Sequence, residues 1–174
     1  MLRSLISATA LIALVPAIAN AHATLETGEA AANSFYKAVV RIGHGCEGSP
    51  TTAIRIQIPE GMIAVKPMPK AGWDLATVKG DYAEAYDYYG TKMTSGVKEV
   101  VWSGGSLPDE FYDEFVFRGL LAGFEPGTVV HFPTVQECAE GVHRWIEIPA
   151  AGQDPHELDE PAPEVTVIEG EDGH

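Results

Sequence analysis

Between residues 34 and 58 the chain alternates apolar and polar side chains twice over, and this period of two limits what it can fold into. In residues 34–42, Tyr36, Ala38, Val40 and Ile42 fall on one side and Lys37 and Arg41 on the other. In residues 51–58, Ile54, Ile56 and Ile58 oppose Arg55 and Gln57. Successive side chains of a strand point to opposite faces, so each segment is expected as a strand with one buried face. The intervening Gly43-His44-Gly45-Cys46-Glu47-Gly48-Ser49-Pro50 is a loop by composition. Further candidate strands are 73–78, 97–102, 114–121 with Phe115 and Phe117 on one face, 129–132, and 141–148. In the last of these, Val142, Arg144, Ile146 and Ile148 point one way and His143, Trp145 and Glu147 the other. Residues 62–69 end in Lys66-Pro67-Met68-Pro69, which suits a sheet edge, because proline cannot donate to a ladder on both sides. Residues 26–33 read as a loop or a single helical turn. The tyrosine- and acid-rich stretch 82–89 leaves strand, loop and short helix open. No convincing amphipathic helix and no internal repeat emerges. Short strands punctuated by glycine and proline predict an all-β antiparallel sandwich, with a closed barrel as the alternative.

Residues 1–21 are expected to be a secretory signal. Arg3 gives a positive start, residues 5–18 form an apolar run broken by Ser7, Thr9 and Pro16, and Ala19 and Ala21 make an A-x-A cleavage site. The run is shorter than the ~20 apolar residues of a membrane span. A chain cut after Ala21 is therefore expected to be periplasmic or secreted, with no stable membrane span. Residues 22–150 are read as one domain, long enough for a real core. Residues 151–174 are read as an acidic C-terminal segment with a further candidate strand at 164–168 and a polar tail.

The formal net charge is −14. Loss of a leader holding Arg3 and no acid would make it one unit more negative. Such a chain is not expected to bind nucleic acid through its phosphates. It repels anionic lipid surfaces and mildly attracts cations; for most of the carboxylates, solubility is role enough. In an exported protein the cysteines Cys46 and Cys138 read as a disulfide. It would close a loop of roughly 90 residues and contribute on the order of 4–5 kcal/mol in the chain-entropy model. The competing reading is a thiolate site for reduced copper, against which stand the oxidising compartment and the lack of a CxxC spacing.

The predicted cut makes His22 the first residue of the mature chain. One residue then offers two nitrogens, an α-amine with a pKa of about 7.7–8.0 and an imidazole near 6.5. Together they can close a chelate ring on one ion. Nitrogen donors with oxygen co-ligands in a tetragonal arrangement favour Cu(II) over most first-row competitors. A metal must displace the protons, so binding is expected to weaken as pH falls.

Several stretches appear together and in order: His22-Ala23-Thr24-Leu25-Glu26, Gly45-Cys46-Glu47-Gly48-Ser49-Pro50-Thr51-Thr52, Val65-Lys66-Pro67, Gly72-Trp73, Trp102-Ser103-Gly104-Gly105, Asp113-Glu114-Phe115 and Val142-His143-Arg144-Trp145. Over residues 22–148 the chain thereby resembles the YcnI-like copper-binding family. The resemblance implies an exported immunoglobulin-like β-sandwich that holds one Cu(II) for copper handling, without catalysis. It implies an amino-terminal histidine acting as a single-histidine brace, a carboxylate, and a tryptophan close by. It also implies other copper-handling proteins as partners. His22 matches the brace histidine and Trp145 the tryptophan. In the family the carboxylate follows the first long strand, soon after a Val-Pro pair. Here that place reads Ile42-Gly43-His44-Gly45-Cys46-Glu47, without the proline and with a cysteine. Glu47 is the carboxylate candidate, with Glu26, Glu29 and Glu147 as alternatives. His44 is expected beside the metal, as a further ligand, a hydrogen-bonding neighbour or a surface residue. His131 and His143 are expected to be structural, and His156 and His174 to offer only weak adventitious binding.

Two other functions use the same features. A histidine-brace copper oxidase acting on polysaccharide needs a second brace histidine and an open position for oxygen. A metal-free adhesion or assembly module makes His22 dispensable. Serine-triad, phosphate-loop and dinucleotide motifs are not seen.

Overall fold

The computed structural model describes residues 22–154 and 157–170. The expected signal segment with its cut, and His156 and His174, lie outside the described residues. In chain order the strands are β1 (Thr24–Leu25), β2 (Glu29–Ala31), β3 (Phe35–Ile42), β4 (Thr51–Gln57), β5 (Met62–Pro67), β6 (Asp74–Tyr88), β7 (Thr91–Leu107), β8 (Asp113–Leu121), β9 (Val129–His131), β10 (Thr134–Cys138), β11 (Val142–Trp145) and β12 (Glu164–Ile168). One sheet has the order β1-β3-β8-β5, a second β11-β10-β4-β7-β6, and a third β2-β12-β9. All pairings are antiparallel except β2 with β12. No α-helix occurs among the described residues.

The alternation read from the sequence builds the core. Tyr36, Ala38, Val40 and Ile42 of β3, Ile54, Ile56 and Ile58 in and after β4, and Phe115 and Phe117 of β8 are all buried in one cluster. Trp102 of β7 is fully buried within it. Its ring meets Phe115 edge-on at 5.6 Å, and Trp73 meets the same phenyl at 5.0 Å. Its Nε1 donates to the Met68 carbonyl at 3.1 Å, so the one polar atom of the ring is satisfied. As the prolines require, β5 lies at a sheet edge.

The structure resolves or corrects three local readings. Residues 82–88 belong to β6, which turns at Tyr89-Gly90 into β7. Both turn residues have positive φ, 51° and 81°, as a two-residue hairpin turn demands. The register slips between Asp81 and Tyr86, which sets Tyr82 and Tyr86 together against Ile63 in a second small cluster. Glu84, which falls between them on the same face, is exposed, and that break in the buried series is what obscured its period. Residues 29–31 form β2, not a helical turn. The regular strand expected over 141–148 stops at Trp145, and Val142, Ile146 and Ile148 are exposed while Trp145 is buried.

The strand expected at 164–168 forms. Val165 and Val167 of β12 are fully buried in the main cluster, so the core continues beyond Ala150. Cys46 and Cys138 are disulfide-bonded across 92 residues. Both sulfurs are thereby occupied, which removes the thiolate copper site. The bridge pins the loop after β3 to the end of β10.

Reduction of this bridge, or the double change Cys46→Ala and Cys138→Ala, is expected to lower unfolding free energy by about 4 kcal/mol, in keeping with the length of the closed loop. Urea unfolding of oxidised and reduced protein measures this. Tyr36 provides an alkaline probe. Burial, and then the charge of Glu26, push its pKa up to about 12, and its hydroxyl donates to the Thr27 carbonyl. A phenol raised above its unfolded value of about 10 contributes stability below pH ~10, which is lost as pH climbs toward 12. Tyr86 is also pushed up to about 12, by burial and then by Glu60. Tyrosinate absorbance of the wild type should therefore show more than one late group, and Tyr36→Phe should remove one of them. Urea midpoints should fall over the same window.

Candidate metal centre

The start of the sandwich places His22. Thr24 and Leu25 of β1 pair with Arg41 and Val40 of β3, and Glu26 N–H donates to the Val39 carbonyl. Ala23 is buried, and Glu26 and Arg41 form an ion pair at 2.9 Å. Extending the antiparallel register beyond Thr24 brings His22 level with Gly43, the residue before His44. A histidine far from His44 in sequence is thus placed beside its loop by ordinary strand pairing.

Three imidazoles surround one indole. The ring of His22 lies 5.7 Å from that of Trp145 and is tilted by 56°. His44 meets Trp145 edge-on at 6.2 Å. His143 stacks on Trp145 at 4.8 Å, with 26° between the planes. His44 and His143 touch each other at right angles, 5.5 Å apart. His143 and Trp145 are two apart on β11, so they share a face of the strand. The aromatic patch is therefore built from the residue before β1, the β3–β4 loop and β11.

Gln136 joins two of these pieces from beneath. It is 1% exposed. Its Oε1 accepts from Trp145 Nε1 at 3.0 Å, while its Nε2 donates to the His44 carbonyl at 2.6 Å and to Thr51 Oγ1 at 2.8 Å. Gly45 N–H donates to Asp109 Oδ1 at 2.8 Å, and Cys46 is held by its disulfide. The backbone of the His44 loop is thus fastened on both sides. Glu160 orients the third imidazole. Its Oε1 accepts from His143 Nδ1 at 2.8 Å and its Oε2 from Arg144 N–H at 3.0 Å.

His22 Nε2 is buried and has no hydrogen-bond partner among the described residues. A buried imidazole nitrogen without a partner is costly, and an ion is one group that satisfies it. No group of three or more His, Cys, Asp or Glu side chains that could hold a metal occurs among the described residues. A site made from the amine and imidazole of a single residue needs no such group. If the expected cut freed its amine, the donor set of His22 would fit a copper ion, with the ring of Trp145 beside it.

The carboxylates are arranged differently. Glu47 is exposed at φ 51° in the tight turn where Cys46 and Ser49 exchange backbone hydrogen bonds. It lines a cleft of about 310 Å³ with Cys46, Ser49, Glu140, Gly141 and His143, a cleft that does not include His22. A separate cleft of about 280 Å³ is lined by His22, Leu25, Pro149, Pro161, Pro163 and Glu164. Glu147 Oε2 accepts from Glu160 N–H. Glu29 lies on β2. Sequence reasoning missed Gln136 and Glu160. Gln136 carries no signal beyond its place in a strand, and Glu160 sits in a segment that reads as solvated acid.

A family profile described as "Domain of unknown function (DUF1775)" matches residues 22–167. No curated protein matches the chain. An uncharacterized protein from Nocardia farcinica, whose crystal structure reveals an immunoglobulin-like fold, is similar at 24% identity with a TM-score of 0.60. That match covers 84% of this chain and 98% of the other. At this identity the likeness carries the fold, an immunoglobulin-like all-β sandwich.

Gln136→Leu tests the support of the patch. It leaves Trp145 Nε1, the His44 carbonyl and Thr51 Oγ1 without their buried partner. The expected cost is roughly 2–4 kcal/mol, since each unsatisfied buried group costs about 1–3 kcal/mol and part is recovered by relaxation. Urea unfolding gives the loss, and a change in Trp145 fluorescence locates it.

Proposed function

The chain belongs to the DUF1775 family, and within that family we propose that it is a YcnI-like exported Cu(II)-binding protein that buffers or delivers copper without transforming it. The observation that carries this reading is the buried nitrogen of His22 beside Trp145, which has no hydrogen-bond partner among the described residues, at the residue that the expected cut would leave first. The α-amine and the imidazole would hold the ion in a chelate ring. β1, paired to β3, keeps that residue at a constant place on the sandwich. Trp145 closes one side with an apolar surface. The net charge of −14 favours approach of a cation. Copper is cargo here, and the partners expected are other copper-handling proteins.

A histidine-brace oxidase acting on polysaccharide is the second reading. It draws on one observation, that His44 and His143 lie against the same indole as His22.

Export of the full precursor in a bacterial host should yield a chain whose mass begins at His22. Titration with Cu(II) followed by electron paramagnetic resonance should show one tight site. A variant carrying one extra residue before His22 should lose that site, because its terminal amine no longer belongs to a histidine. Unchanged affinity in the extended chain would sink the proposal and favour a metal-free module or a different site. Hydrogen peroxide or oxidised sugar produced by the reduced, copper-loaded protein in air would favour the oxidase. Binding is expected to weaken as pH falls, because protons compete with the metal for both nitrogens.

A further inference from the structure

We propose that the open edge of β6 pairs with β6 of a second copy of this chain, antiparallel about a two-fold axis at Gly80. The outward backbone groups of an edge strand are a template for another strand. The three sheets end on β1, β5, β11, β6, β2 and β9. Five of these edges are short or blunted. β1 has two residues, β2 and β9 three each, and β11 four. Glu160 also takes the Arg144 N–H of β11. β5 ends in Lys66 and Pro67, and its register with β8 shifts between Ile63 and Lys66. By contrast, β6 runs for 15 residues without a proline, and Ala76, Thr77, Val78, Lys79 and Asp81 are all exposed.

Charge selects both the partner and the register. In a symmetric antiparallel pair the residue on the axis faces its own copy, and the residues on either side of it face each other. With the axis at Gly80, Lys79 stands opposite Asp81 of the partner subunit, and Asp81 opposite Lys79 of the partner subunit. Directly opposed side chains share a face of the sheet, so two ion pairs form across the junction. Moving the axis by one residue sets Lys79 against Lys79 of the partner subunit, or Asp81 against Asp81 of the partner subunit, and like charges so placed repel. The new ladder spans residues 78–82. Beyond it Ala83 N–H is already given to Glu60 Oε1 at 3.0 Å.

The pairing joins two five-stranded sheets into one continuous sheet. The same patch serves both subunits, so the assembly closes at two chains and does not propagate. Gly80 puts no side chain at the axis, which suits the close approach of two backbones. Val78, which is 52% exposed, is set opposite Tyr82 of the partner subunit and gains apolar cover. β11 stands at the far end of its sheet from β6, so the Trp145 patch of each copy is left uncovered.

Sedimentation equilibrium of the chain exported from the full precursor tests this. Salt is held at ~0.15 M, where repulsion between the acidic chains is screened beyond about 8 Å. The wild type is expected to dimerise. Lys79→Asp and Asp81→Lys each place like charges in both pairs, so each variant alone should dimerise about tenfold or more weakly. An equal mixture of the two variants restores both opposite-charge pairs and should regain the wild-type strength. Gly80→Cys reads the register. Opposed Cα atoms stand about 4.5–5.5 Å apart, within reach of a disulfide, so mild oxidation should give a covalent dimer. A wild type that stays monomeric at millimolar concentration would overturn the proposal and leave the edge to a strand of another protein. So would dimers that persist in both charge variants, a mixture that does not recover, or a Gly80→Cys chain that does not cross-link. Should a charge variant fail to fold, as judged by circular dichroism, the wild-type mass and the cross-link decide.

Discussion

A single buried carboxamide links the sandwich to the candidate site. Gln136 lies on β10, between β4 and β11, and is almost wholly buried. A polar side chain in such a place is tolerated only when its donors and acceptor are matched. Here they are matched by Trp145, Thr51 and the backbone of His44. The penalty for leaving any of these groups bare is what fastens the loop after β3 to the indole of β11. Rigid placement of the aromatic patch is therefore a consequence of core energetics, not of contacts within the patch.

The acidic segment after β11 is part of the same construction. Glu147 and Ala162 N–H groups and their carbonyl partners tie residues 160–162 alongside residue 147. From there Glu160 reaches His143 and Arg144, and β12 inserts Val165 and Val167 into the core. Nine acids and Arg144 as the lone base occupy residues 137–169. Glu147 and Glu160 hold structure through hydrogen bonds, and Glu164 lines the cleft beside His22. The exposed pairs, such as Arg55 with Glu99 and Arg41 with Glu26, contribute little each in water.

The strands of strict alternation were legible because burial imposes the period directly. β3, β4 and β8 hold their apolar residues inward as expected. The long β6–β7 hairpin was not legible as one unit, since slips in register interrupt its pairing and the exposed Glu84 breaks the buried series between Tyr82 and Tyr86. β11 misled for another reason. The apolar series in and after it, Val142, Ile146 and Ile148, is exposed, and the ring that packs inward, Trp145, alternates with His143 and Glu147. At the site, His22 and Trp145 were legible from position and resemblance, and the structure brings their rings together. Glu47 was legible as a loop acid, but its side chain opens on the disulfide cleft and makes no hydrogen bond or ion pair with His22. The contribution of His143 was hidden, because its stacking depends on β11 meeting the His44 loop.

By itself the sequence determined that the chain is an all-β sandwich and that its two cysteines form a bridge. It also marked His22 as the residue that the expected cut would leave first. These follow from local rules: a two-residue period, turn composition and covalent pairing. Only the tertiary structure decided which side chains share the site. Two antiparallel registers and one buried glutamine set His22, His44 and His143 around Trp145, and they turn Glu47 toward another cleft. Such juxtapositions arise from pairing between distant segments, and no spacing along the chain encodes them.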